Sequence, residues 1–289
     1  MTWIIAAPLW GGDCYFWTTD ADSARPLFRS ASAIAVDPRG DVFVTDVGTH
    51  RLVRCGPNDS VSNIGGYGWS SSAFDQPLDV AAPNAIDVYV ADYGNHRIQR
   101  FDRNLNFISS LSLRDSDDPD ERFGYPKSVA VDRFGALFIV DGENTRIVKV
   151  NTTNSFDRTF GGITSGWGRL VKPVRVRVSD DDIVYVQDGN AIVAFDLFGN
   201  YIRKVGEGLF TSLRSIAVDG SLLYALDSCG VVRIAEKGTR FDRIDALRDC
   251  GTPCSDIVDF AIHDSSGWIL TSTNVIHCRV NDTVDQKDK

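Results

Sequence analysis

The sequence predicts an all-β chain folded as a six-bladed β-propeller, with four antiparallel strands per blade and an N-terminal strand closing the last blade. Three observations predict it. The stretch VADYGNHRIQRF at 90–101 recurs as VTDVGTHRLVRC from Val44 and IVDGENTRIVKV from Ile139, with looser copies from Val186, Ala225 and Leu270. A second pattern precedes the copies: AIAVDPRGD at 33–41, SVAVDRFGA at 128–136, SIAVDGS at 215–221 and FAIHDSSGW at 260–268, with 79–87 and 175–182 as divergent members. The composition leans towards turns and strands, with 25 Gly and one Met in 289 residues.

The Asp of the first pattern stands at 46, 92, 141, 188 and 227, at intervals of 46, 49, 47 and 39 residues. A fixed period of about 40–50 residues is the mark of propeller blades. Each unit reads as a β-rich run, a Gly/Asp turn, a second run such as VFVTD, another turn, and a third run such as RLVRC. A fourth run follows (NFISSL, SFDRTF, NYIRKV, RFDRID). Short β-branched runs between turn residues are strands. The blades fall at about 31–77, 78–126, 127–173, 174–213, 214–255 and 256–280, in one unit spanning 1–280, with a tail at 281–289. Blade six shows three strands of its own. Its fourth is sought in the lead-in 1–30: CYFWTT (14–19) is the first candidate and TWIIAA (2–7) the alternative.

The formal charge of −9 repels phosphate backbones, so nucleic acid is not the expected partner. No run approaches the length of a membrane span. The apolar opening lacks the basic flank of a signal peptide, which points to an intracellular chain or one whose signal has been removed.

The repeated residues resemble the NHL repeat, a family of six-bladed β-propellers. The most specific stretches are FDQPLDVAA and VYVADYGNHRIQRFD within 74–102, and FGYPKSVAVDRFGALFIVDGENTRIVKV at 123–150. The resemblance implies the fold firmly and an activity weakly, because one scaffold serves many functions. Relatives include RNA binders with a basic face and the lyase that matures amidated peptides, whose zinc is held by His from different blades. Here His50 and His96 are equivalent, but Thr145 holds that place in blade three, and His263 and His277 lie in other strands.

Four groups of residues are candidates for a role. Asp46, Asp92, Asp141, Asp188 and Asp227, with Arg51, Arg97 and Arg146 five residues after the first three, recur once per blade and are read as parts of the blade. A carboxylate before a tight turn accepts its N–H groups, and a following Arg pairs with it. Near the axis, the innermost strands carry Ala in five blades but Arg177 in the fourth. Arg175 lies two residues earlier, and Asp79 and Asp259 occupy the matching places in blades two and six. These four are expected to form a polar channel cluster, with a small anion pocket at the channel mouth as the alternative. The blade-to-blade links carry Tyr67, Trp69, Phe123, Tyr125 and Trp167, expected on a loop-rich binding face. Of the six Cys, a bond between Cys14 and Cys278 would clasp the closing blade. Another is expected among Cys229, Cys250 and Cys254, with independent thiols as the alternative.

No G-x-S-x-G elbow or phosphate loop is present. The resulting expectation is a non-catalytic binding protein: a scaffold for protein partners, or an accessory subunit of a larger complex, without a cofactor. The alternative is a Ca- or Zn-dependent hydrolase or lyase acting on a small ligand at the channel mouth.

Overall fold

The computed structural model describes residues 14–17, 26–56, 60–227, 230–234, 241–243, 254–264 and 266–279. The six units become six four-stranded antiparallel sheets. Strand β1 (Cys14–Trp17) pairs with the last strand of blade six. Blade one holds β2 (Ala31–Val36), β3 (Val42–Asp46), β4 (Arg51–Cys55) and β5 (Val61–Gly65). Blade two holds β6 (Pro77–Ala81), β7 (Asp87–Asp92), β8 (Arg97–Asp102) and β9 (Phe107–Leu111). Blade three runs through β10 (Ser128–Val131), β11 (Leu137–Asp141), β12 (Arg146–Val150) and β13 (Phe156–Phe160). Blade four has β14 (Pro173–Val178), β15 (Ile183–Asp188), β16 (Ala191–Asp196) and β17 (Tyr201–Val205). Blade five has β18 (Ser215–Asp219), β19 (Leu222–Asp227), β20 (Gly230–Ile234) and β21 (Phe241–Arg243). Blade six has β22 (Ile257–His263), β23 (Ser266–Thr271) and β24 (Val275–Arg279), completed by β1.

The closing strand is therefore CYFW, within the first candidate segment. TWIIAA and the tail 281–289 lie outside the described residues. Closure is reinforced where the Ala31 N–H donates to the Ser272 carbonyl (2.9 Å), joining blade one to blade six.

Second strands such as VFVTD and LFIVD are buried along their whole length, because neighbouring blades cover both faces. That is why they read as unbroken β-branched and aromatic runs. Between blades three and four, Phe138, Val140, Ile147 and Phe160 pack with Val176, Val186, Val193 and Phe195. Phe43, Leu52 and Phe74 meet Val80, Val88 and Phe101 between blades one and two. Outer strands such as VSNIG are half exposed and polar.

The up-and-down order sorts the loops. The second-to-third turns share one face with the blade-to-blade links, here the link face. The first-to-second and third-to-fourth turns share the other. Pairing slips by one residue near the start of the inner strands of blades one, two, four and six, just before Ala33, Asp79, Arg175 and Asp259. Such bulges re-aim side chains, and the last three meet at the axis.

Candidate functional site

Each link ends on a buried anchor: Phe28, Phe74, Phe123, Leu170 and Phe210. Their intervals of 46, 49, 47 and 40 residues follow those of the repeated Asp. The reason is a clip. Asp46 accepts from the N–H groups of Arg29 (3.0 Å) and Ser30 (2.8 Å), just past Phe28. Asp92 accepts from Asp75 (2.8 Å), Asp141 from Gly124 (3.2 Å), Asp188 from Val171 (2.9 Å) and Asp227 from Ser212 (2.9 Å). The Arg partner holds the other side of the link. Arg97 donates to Asp92 through Nε (2.7 Å) and to the carbonyls of Trp69, Ser70 and Ala73 (2.9, 3.0 and 2.8 Å). Arg146 donates to Asp141 (3.1 Å) and to the carbonyls of Asp120 and Arg122 (3.0 and 2.8 Å). Arg51 departs from this pattern: it stands opposite Asp46 in register but is exposed, and no ion pair joins the two among the described residues. Burial pushes the Asp92 carboxyl above its ordinary range, against the donors from Asn95, Asp75 and Arg97.

Two links close by one device. The Phe74 N–H donates to the Gly66 carbonyl (2.9 Å), and the Leu170 N–H to the Gly161 carbonyl (2.8 Å). Gly161 has a positive φ of 77°, and a β-carbon there would lie 2.5 Å from Leu170. The residues between the closing points are pushed outward. Tyr67 is 63% exposed, Trp69 70%, and Trp167, on a single 3-10 turn at Gly166–Gly168, 85%. Tyr125 is 39% exposed. Phe123 is a correction to the expected face: it is 0% exposed, serving as the anchor of its link. Ile163 and Val171, exposed beside Trp167, were not expected there.

His50 and His96 sit at equivalent left-handed turn positions, with φ of 55° and 53°. Nδ1 of His50 accepts from the Gln76 N–H (3.1 Å), and Nδ1 of His96 from the Tyr125 N–H (3.1 Å) and from Arg114. Burial, followed by the Arg114 charge, holds the His96 pKa below the usual imidazole range. With Nδ1 accepting, the proton of the neutral ring sits on Nε2, so neither nitrogen offers a free lone pair. Among the described residues no group of three His, Cys, Asp or Glu has metal-ligating geometry. These residues do not fit the three-His zinc site that the resemblance implies.

At the axis, Arg177 bonds both oxygens of Asp79 (3.0 and 3.1 Å), while Arg175 bonds Asp259 and lies 3.7 Å from Asp79. Asp259 also takes the Ile34 N–H (3.0 Å) and the Ser215 hydroxyl. Asp79 takes the Val129 N–H (3.2 Å) and the Ser128 hydroxyl, whose oxygen accepts from the Val176 N–H (3.1 Å). Every blade contributes at least one of these groups. Burial opposes ionisation of Asp79, but the Arg177 and Arg175 charges outweigh it and hold the carboxyl below its ordinary range. Burial likewise opposes the charge of Arg175, and Asp259 and Asp79 outweigh it, leaving that pKa raised. Beyond the cluster, towards the first-to-second turns, lies a cavity of about 170 Å³ lined by Ala35, Ala81, Ala130, Ala217, Ala261 and Arg177.

Cys14 lies opposite Cys278 in the pairing of β1 with β24. Cys229, Cys250 and the side chains of Cys14, Cys254 and Cys278 lie outside the described residues. Cys55 is buried and free, and burial pushes its thiol up to about 12.

A family model of the NHL repeat matches residues 28–55 and 74–101. A probable peptidyl-alpha-hydroxyglycine alpha-amidating lyase of Caenorhabditis elegans is 28% identical over 128 residues, 42% of this chain and 37% of that protein. Protein brain tumor of Drosophila melanogaster is 30% identical over 147 residues, 50% of this chain and 14% of that protein. The chain thus spans well under half of either relative. Among solved structures, virginiamycin B lyase of Staphylococcus aureus is similar with a TM-score of 0.60 at 14% identity, covering 87% of this chain and 80% of that one. At that identity the likeness is one of fold. From the matched repeats and the six four-stranded blades together, the chain is a member of the NHL-repeat family of six-bladed β-propellers.

Proposed function

We propose that the chain is a non-catalytic binding protein, holding a protein partner on its link face as a scaffold or as an accessory subunit of a larger assembly. One observation carries this reading. The Asp and Arg residues of the repeat are taken up in clipping the links, while Trp69 and Trp167, carried on those links, stand in solvent. Aromatic side chains on a braced backbone suit binding, because little order is lost when a partner arrives. The test is native purification from the source cell, with mass determination and identification of what travels with the chain. A stoichiometric protein partner, weakened by Trp69→Ala or Trp167→Ala, is the expected result. A clean monomer, or a partner indifferent to both substitutions, would sink the reading.

A second reading, a Ca- or Zn-dependent hydrolase or lyase at the channel mouth, draws on the cavity of about 170 Å³ beside Arg177. The similarity to a probable lyase supports it as well. One-to-one Zn²⁺ or Ca²⁺ retained through purification would favour it over the first.

A further inference from the structure

We propose that the link face from blade one to blade four docks a basic segment of a partner protein, one whose Lys or Arg side chains alternate with apolar ones. This rests on the protein-binding reading above and names the chemistry of the partner.

The exposed apolar side chains of this face stand on three successive links: Tyr67 and Trp69 on the first, Tyr125 on the second, and Ile163, Trp167 and Val171 on the third. The three links form one surface because the turns between them are shared. In the turn at 93–96, Asn95 donates to the Gly68 carbonyl of the first link (2.8 Å). His96, next to it, accepts from Ser112 (3.2 Å, at its carbonyl) and from the Tyr125 N–H of the second link. Arg146 then holds the second link by two carbonyls and borders the third, where a β-carbon on Gly162 would lie 3.8 Å from its own.

Charge selects the partner. The middle link carries Asp115, Asp117, Asp118 and Asp120, all exposed, and none is in an ion pair among the described residues. The nearby cations are already committed: Arg97 to Asp92, Arg146 to Asp141, and Arg114 to His96 and Glu143. The unmatched charge of this surface is therefore negative, between two exposed indoles, in a chain whose formal charge is −9. Such a field draws cations and turns anions away.

The aromatic rings point the same way. On the opposite face, Arg133 lies over Phe134 (4.8 Å) and Arg158 over Phe198 (5.6 Å), so those exposed rings already carry the chain's own cations. Trp167 makes no ring or cation contact among the described residues, and Trp69 meets only the edge of Tyr67 (5.7 Å, 64°). Both indole faces are open to an incoming guanidinium or ammonium group, which gains from lying on such a ring.

The test uses a fluorescent synthetic peptide alternating Lys with Leu and Phe, and its Glu counterpart, with anisotropy read at about 150 mM salt to screen distant charge. The Lys peptide is expected to bind and the Glu peptide not. The triple variant Asp115→Asn, Asp117→Asn, Asp120→Asn should weaken binding about tenfold, as should Trp69→Ala with Trp167→Ala. The opposite-face triple Asp180→Asn, Asp181→Asn, Asp264→Asn should leave it within about twofold. Equal losses from the two triples would reveal mere attraction to an acidic protein and overturn the proposal. So would a tryptophan pair whose removal changes nothing. A native partner that co-purifies but is retained by the link-face variants would sink the basic-segment assignment and leave protein binding standing.

Discussion

Asp79 is the residue on which most of the axial cluster converges, accepting from Arg177, Ser128 and the Val129 N–H while fully buried. Asp79→Asn strands two buried guanidinium groups, and breaking such a pair from one side costs about 3–5 kcal/mol. The urea midpoint should fall by that amount with an unchanged slope. The pH dependence has a definite sign. A carboxyl whose folded pKa lies below its unfolded value of about 3.9 contributes stability that is complete above that pH and is lost as pH falls through the folded value. The gap in stability between the wild type and Asp79→Asn should therefore be full at neutral pH and narrow in acid below about pH 4. A gap that widens in acid would contradict the charge pairing. Arg175 and Arg177 were legible in the sequence as an interruption in a ring of Ala, and Asp79 and Asp259 as their equivalents in other blades. The rest was not. Ser128, Ser215 and the Ile34 N–H carry no distinguishing signal in one dimension, yet they turn an ion pair into a junction of six blades.

Elements that look alike in sequence separated once folded. Each link presents one aromatic or aliphatic anchor to the interior and others to solvent, and composition does not tell them apart. Phe123 was expected at the surface for that reason. The distinguishing signal is spacing: Phe28, Phe74, Phe123 and Leu170 each precede their blade's Asp by 18 residues. Trp69 and Trp167 share no such interval. Phe123→Ala should cost about 3–5 kcal/mol, as large-to-small changes at buried aromatics do, while Trp167→Ala should leave the melting temperature nearly unchanged. Paired thermal melts check both. If the two substitutions cost the same, the anchors do not do what their burial indicates.

For the molecule as a whole, closure depends on four N-terminal residues pairing with β24. The missing fourth strand of blade six was legible because three strands are one too few for the pattern. Removing residues 1–17 would bare the β24 edge, and open edges invite pairing with other chains. The shortened chain should melt lower and self-associate in analytical ultracentrifugation. A monomer with unchanged melting would show that blade six closes by other means.

The junction at the axis has a further consequence, for how many blades the ring contains. Its longest bond joins Ile34 to Asp259, 225 residues apart, so it forms only when the first blade meets the last. In a ring of five or seven blades, Asp79 and Asp259 would no longer flank the two guanidinium groups of blade four, and buried charge would stand uncompensated at a cost of several kcal/mol. Hydrophobic packing between adjacent blades is nearly the same whatever their number. The four charged residues, each reaching across the ring, act as a gauge that accepts six and rejects its neighbours.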